Sequence, residues 1–281
     1  MSEVVIVHPA GPVAPRARPE WPVGWSRWAG GALSLVASVL LWHVLSTTQV
    51  RTAWITFANV PPPLEVARAG VDLLSSPKLL HHVLWSLWRI AAGFVAAAVF
   101  GIGSGLLIGR FGWAERVLLP PLEVLRPVPA VAWIPLAILM FPSSEASMIF
   151  VTFTGAVFPI LLNTIHGVEA VDRRLIASSR SLGARGWTVF SQVILPGAAP
   201  SIATGLAIGM GTCWFCLVSA EMISGQFGIG YFTWESYTLQ NYAGIVVGML
   251  WIGLFGMGSS ALIRHAACRL MPWQASKGGA R

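Results

Sequence analysis

The chain has 281 residues, of which 55% are hydrophobic and only 10% charged, with a net charge of +7 and a mean hydropathy of +0.70. A soluble domain typically carries about a quarter charged residues, so this composition excludes a single soluble core and predicts a polytopic membrane protein. The basic balance would suit nucleic acid in a soluble chain. Here Lys and Arg cluster at the ends of apolar runs, with no basic stripe interleaved with aromatics, which excludes nucleic acid and favours a lipid bilayer as partner.

Residues 1–26 carry Pro9, Pro12, Pro15, Pro19 and Pro22 with Arg16 and Arg18, and no apolar core followed by a small-residue cleavage site. They read as a flexible cytoplasmic tail and not as a signal peptide. A membrane helix needs about 20 predominantly apolar residues. The first such run is 28–46. The connection over 47–83 is too long for a hairpin; Val60-Pro61-Pro62-Pro63 stops one element, and 64–74 predicts a short amphipathic helix at the outer surface. The domain scheme is therefore a tail at 1–26, a first span with its external connection at 27–83, a core membrane domain at 84–265, and a cytoplasmic tail at 266–281.

The second span is predicted at 84–109. Gly101, Gly103, Gly105 and Gly109 form a small-residue face suited to close helix contact, and Arg89 is expected to snorkel or pair within the bundle. The third, 117–141, is interrupted by Pro120, Pro121, Pro127, Pro129 and Pro135, with Glu123 and Arg126 inside it. Each internal proline removes a backbone hydrogen bond, so this segment is expected to be broken, and broken helix at membrane depth is buried in protein or lines a wet path. Spans at 147–168, 197–222 and 243–263 complete an all-α polytopic bundle of about six transmembrane helices.

Ionisable residues within spans cost about 2.5–3.5 kcal/mol each on insertion scales and usually face a partner or water. Arg126 is the preferred contributor to an anion-attracting path, with pairing to Glu123 or a place near an interface as its alternatives. Glu221, near the outer end of the fifth span, is expected to fix packing or a gate. Trp133 and Trp214 are the deep tryptophans and either line the path or pack the core. Cys213-Trp214-Phe215-Cys216 spells C-x-x-C inside an apolar helix without a βαβ context, so packing is the expected role. His81, His82 and His166 have no companions at metal spacing, and no metal site is predicted.

Of the 18 Lys and Arg residues, thirteen fall on one side of this topology when the N-terminus is inside, and three on the other. That bias predicts cytoplasmic N- and C-termini and a cytoplasmic loop at 169–190. In that loop Asp172 is placed to cap a helix over 173–182, Gly183 to supply the left-handed turn that ends it, and Pro196 to mark a break before the fifth span.

The run Ala177-Ser178-Ser179-Arg180-Ser181-Leu182-Gly183-Ala184-Arg185, closed by Val193-Ile194-Leu195-Pro196, resembles the EAA loop of binding-protein-dependent ABC importer permeases. Ala177, Ser178 and Ser179 fall on the Glu-Ala-Ala positions, so the leading Glu is absent. The Arg180–Ala184 core is similar to permeases for nitrate, taurine, aliphatic sulfonates and bicarbonate. So are Leu125-Arg126-Pro127-Val128-Pro129 with Ala132-Trp133-Ile134-Pro135-Leu136, Phe158-Pro159-Ile160-Leu161, Ala220-Glu221-Met222-Ile223 and Gly228-Ile229-Gly230-Tyr231. The similarity covers about residues 60–273.

The resemblance implies a type I ABC importer permease fold in a bacterial inner membrane and a homodimer with a second permease copy. It also implies two cytoplasmic ATPase subunits and an external solute-binding protein. The implied ATPase-coupling residues are Arg173, Arg174, Ala177, Ser178, Ser179, Arg180, Ser181, Leu182, Gly183, Ala184 and Arg185; Arg126, Trp133, Trp214 and Glu221 are the pathway candidates. The chain has no G-x-x-x-x-G-K-[ST] loop, so no enzymatic activity or cofactor of its own is expected, and ATP and Mg would be bound by the partner. The cargo implied is a small oxyanion, moved by alternating access. The competing readings are a stand-alone secondary transporter, which would call for coupling-ion sites in two inverted halves, and a membrane enzyme, for which no H-E-x-x-H, G-x-S-x-G or paired intramembrane carboxylates are present.

Overall fold

The computed structural model describes residues 25–51 and 54–275. The predicted N-terminal tail up to residue 24 and the last six residues of the C-terminal tail lie outside them. The chain divides into two compact units at Pro63/Leu64. In the first, α1 (Trp25–Thr47) matches the predicted first span. Its side chains point outward along most of the length: Leu33, Leu40 and Leu41 are all exposed, as a lipid-facing helix requires. The indole N–H of Trp42 donates to the carbonyl of Pro61 at 3.1 Å, tying the segment after α1 back onto it.

α2 (Pro63–Leu74), the predicted amphipathic helix, lies in the second unit apart from its first residue. There follow α3 (Pro77–Arg110), α4 (Gly112–Leu125), a 3₁₀ turn (Ala130–Trp133), α5 (Ile134–Met140) and α6 (Ser144–Glu169). Next come α7 (Arg173–Ser181), α8 (Gly186–Val189), a π-helical turn (Phe190–Ile194) and α9 (Leu195–Ser224). α10 (Ile229–Thr238), α11 (Tyr242–Leu270) and α12 (Pro272–Ala275) complete the unit. Among the described residues there is no β-strand, only an isolated bridge between Arg51 and Thr56.

α6 is the central helix, packed between α3 and α9. On α3, Gly93, Ala97, Gly101, Gly105 and Gly109 repeat every four residues and form one ridge. A Cβ on Gly93 would stand 2.7 Å from Thr152 Cβ, on Gly105 2.6 Å from Thr164 Cβ, and on Gly109 2.8 Å from Val168 Cβ. The backbones touch because nothing larger fits, the means by which helices associate where no water drives them together. Gly103, expected on the same face, is on another: nothing lies within 4 Å of its Cβ direction. A residue two places off a four-residue repeat turns about 200° away.

Contacts advance together along α3 and α6, so these two helices run in the same direction. The chain between Arg110 and Ser144 must therefore return from one end of the bundle to the other, which α4 and α5 do as a pair bent by 82°. Five single helices are long and apolar enough to cross a membrane, and this pair makes the sixth. The predicted break is present, but not at the first prolines: Pro120 and Pro121 lie inside α4, and the chain turns at Arg126–Pro129. Contacts between α6 and α9 run in opposite senses; Gly155 meets Cys216 and Gly167 meets Ala198. Cys213 and Cys216 are buried there as packing residues, with Cys213 Sγ 3.6 Å from the Thr152 carbonyl.

Candidate functional site

The 172–185 segment forms a capped helix at the end of the bundle where α6 stops and α9 starts. Asp172 Oδ1 accepts from the Arg174 N–H at 2.8 Å, closing the start of α7. At its end Gly183 takes φ +86°. Its N–H donates to Arg180 O at 2.9 Å, and that of Ala184 to Ser179 O at 3.0 Å, the paired bonds of a Schellman stop. Both predicted caps are thus present, and the helix ends one residue short of the expected 182.

No residue of α7 is buried. Ile176 and Ala184 alone lean on the apolar cluster of Val168, Val189, Ile194, Ala198 and Ile202, which seats the loop on α6 and α9. Arg173, Arg174, Ala177, Ser178, Arg180, Ser181, Gly183 and Arg185 are exposed, Ser179 is half-buried, and Leu182 is 87% exposed. None of the four arginines makes an ion pair within the described residues. With Ala177 in place of the motif's Glu, the one carboxylate of the 172–185 segment is the capping Asp172, against four arginines.

Beside it lies an open groove of about 640 Å³ lined by Leu175, Ser178, Leu182, Val193, Pro196 and Trp273 among others. It brings both halves of the motif and the C-terminal helix to one place. Pro196 does not break the chain as expected. Helix runs on from Gly186 to Ser224, with the Leu195 N–H reaching back to Phe190 O in a π turn. This wider turn comes immediately before the residue that cannot donate to its own i−4 carbonyl.

The opposite end of the bundle holds a buried ionic network. Arg89, fully buried on α3, donates through Nε to Glu145 Oε2 at 2.8 Å and through Nη2 to Glu145 Oε1 at 2.5 Å. Its Nη1 donates to Glu221 Oε1 at 2.8 Å and to the carbonyl of Phe227 at 2.6 Å. Four donations from a group with five N–H bonds leave little unsatisfied, and the Trp85 ring lies 5.6 Å from Cζ.

Glu221, also fully buried, accepts in addition from Ser86 Oγ at 2.8 Å and from the Gly230 N–H at 2.8 Å. The loop after α9 is wrapped around this carboxylate. Gly228 has φ +130°, and a Cβ there would stand 2.2 Å from Glu221 Cδ, so both conformation and space demand glycine. Its N–H donates to His82 Nδ1 at 3.0 Å, and that of Ile229 to Ser86 Oγ at 2.9 Å. The network ties α3, α6, α9 and the 225–230 loop through charge-assisted bonds; Arg89 and Glu221 are fully buried, where an unpaired charge is costly, and Glu145, with its side chain 39% exposed, closes the network at its rim.

Arg89 thus pairs within the bundle, one of its two expected fates, and Glu221 fixes packing. Glu145 and Ser86 were not singled out from the sequence, and His82 was considered there only as a metal ligand. The available signal was that a buried Arg89 needs carboxylates, and Glu145 sits in the first turn of α6, two residues before the expected span.

The pathway candidates take different partners. Arg126 is exposed at the turn after α4 and makes no ion pair with Glu123. Trp133 is half-buried edge-on to Phe150 at 6.2 Å. Trp214 is 3% exposed, donates to Ser259 Oγ at 2.9 Å and stacks on Phe255, the core position that was its alternative.

A nitrate import permease of Synechocystis is 33% identical over 80% of this chain and 83% of its own length. A putative aliphatic sulfonates transport permease of Escherichia coli is 37% identical over 79% and 82%. A putative ABC transporter permease of Methanocaldococcus jannaschii is 33% identical over 84% and 89%. Among solved structures, a bacterial alginate ABC transporter in complex with an alginate pentasaccharide-bound periplasmic protein shares the fold, with a TM-score of 0.57 over 88% of this chain and 95% of the matched chain at 12% identity. Residues 97–270, more than half the chain, match the family described as the binding-protein-dependent transport system inner membrane component, and the chain belongs to that family.

Proposed function

We propose that this protein is the permease subunit of an ABC importer carrying a small oxyanion (a sulfonate or taurine, nitrate or bicarbonate) into the cytoplasm. Two copies pair with two cytoplasmic ATPase subunits and receive cargo from an external solute-binding protein, in a bacterial inner membrane with both termini cytoplasmic. The observation that carries this reading is α7: a helix closed at both ends, with no buried residue, set between two spans. A short helix held by α6 and α9 moves only as they move, so displacement by an ATPase surface is passed to the core as a rigid-body step. The substrate class rests on the nitrate and sulfonate permeases among the relatives.

The coupling test is Gly183→Val in the reconstituted complex. The φ of +86° strains any β-branched residue by about 1–2 kcal/mol, while nothing stands within 4 Å to clash, so the damage is confined to the turn. The expected result is a bundle that melts normally with transport lost or ATP hydrolysis uncoupled; unchanged transport refutes the coupling role. The cargo test is stimulation of ATP hydrolysis by binding protein loaded with sulfonate, nitrate or bicarbonate. Failure of every oxyanion removes the substrate class and leaves the permease role standing.

A further inference from the structure

We infer a binding site for an anionic glycerophospholipid in the groove between α3 and the α8–π turn. The cavity measures about 400 Å³ and is walled by Gly103, Leu106, Arg110, Phe111, Trp187 and Phe190 among others. Its α3 wall follows one helical stripe at Gly103, Leu106, Leu107 and Arg110, apolar until it reaches a guanidinium at the last residue of the span. Nothing lies within 4 Å of the Cβ directions of Gly103 or Gly186, so the groove is open where both glycines line it.

Three observations select the occupant. Arg110 is half-exposed, touches the Phe111 ring at 5.7 Å, and has no side-chain hydrogen bond or ion pair among the described residues. A cation at the end of an apolar groove wants an anion joined to a hydrocarbon chain, and basic pockets between membrane helices bind acidic headgroups in this way. Trp187 is 76% exposed and Phe111 46%, and aromatics of this kind sit at headgroup level. The volume suits a headgroup with part of one acyl chain, the rest of the lipid lying in the bilayer. The phosphate is therefore placed at Arg110 and an acyl chain along Leu106 toward Gly103. The inference rests on the proposed function only for its sidedness: α8 follows directly from the coupling helix, so the site belongs to the cytoplasmic leaflet.

The test is native mass spectrometry of the delipidated full-length protein titrated with dioleoylphosphatidylglycerol or dioleoylphosphatidylcholine. Wild type is expected to retain phosphatidylglycerol with about fivefold preference, the effect of one basic residue at a membrane surface. Arg110→Gln should abolish that preference and Arg110→Lys keep it. Gly103→Phe should fill the groove and lower retention of both lipids, and Trp187→Ala gives a second route to lower retention at a position outside the core. Equal binding of the two lipids by wild type, or an undiminished preference in Arg110→Gln, overturns the site. So does Gly103→Phe splitting a permease dimer with lipid still bound, because a second copy then fills the groove. Retention is read without nucleotide or cargo, so its failure leaves the coupling proposal intact, and failure of the Gly183 test leaves this site intact.

Discussion

The two ends of the bundle handle charge in opposite ways. At the α7 end, Arg173, Arg174, Arg180 and Arg185 stand in the open with no ion-pair partner in the described residues, on a helix that buries nothing. At the other end a single arginine, Arg89, is wholly buried and shared between Glu145 and Glu221. Exposed pairs contribute about 0–1 kcal/mol, so the α7 charges do little for folding and are free to meet another protein. Arg89 without its carboxylates, or the buried Glu221 without its arginine, would leave an uncompensated charge inside the bundle. The charges on α7 are left unpaired within the described residues, and the buried arginine is paired twice.

That contrast is most directly broken at Arg89. Arg89→Leu leaves the fully buried Glu221 without its cation and should destabilise the bundle by about 3–5 kcal/mol, read as a fall in thermal unfolding temperature in detergent. Adding Glu145→Gln and Glu221→Gln should restore much of the loss. An unchanged melting temperature in the single variant would falsify the structural role of the network.

A smaller effect is expected along the α3 ridge. Gly105→Leu pushes into Thr164, where even a Cβ would stand at 2.6 Å, and should cost about 1–3 kcal/mol through overpacking. Gly103→Leu, on the open face, should be nearly neutral by the same measurement; equal losses at both positions would mean that the ridge is not what holds α3 against α6.

The least effect on the fold is expected at the α7 end, where the readout is association. Leu182→Ser, at a side chain 87% exposed, should alter stability by no more than about 0.5 kcal/mol while reducing recovery of the ATPase with the permease. Raising ionic strength should weaken that association, since exposed charges are screened within about 8–10 Å at physiological salt, and leave the melting of the permease bundle unaffected. Salt-independent association would show that the arginines are not part of the contact.

Much of this was legible along the chain because local rules decided it. Asp172 and Gly183 marked the ends of α7 before any fold was known, since capping and left-handed turns depend on neighbours a few residues away. The apolar runs placed five spans to within several residues of these helices, the largest differences being seven at the start of α3, in its polar first turns from Pro77, and seven at the end of α11. The proline-rich third segment was recognised as broken. Its turn at Arg126–Pro129 instead of Pro120–Pro121 was not legible, because the exposed helix α4 accommodates two adjacent prolines and local pattern does not say which interruption the packing will use.

By itself the sequence determined the all-helical membrane architecture and the capped loop, because the length of an apolar run and the chemistry of a helix end are one-dimensional properties. Only the tertiary structure decided that Arg89, Glu145 and Glu221 meet, that Gly228 closes over a carboxylate seven residues before it, and that Gly103 faces outward while its neighbours pack. Those outcomes depend on which helix faces lie against one another across separations of up to 132 residues. Desolvation selects such pairings by penalising every buried charge that lacks its partner, and it acts only once the helices have come together.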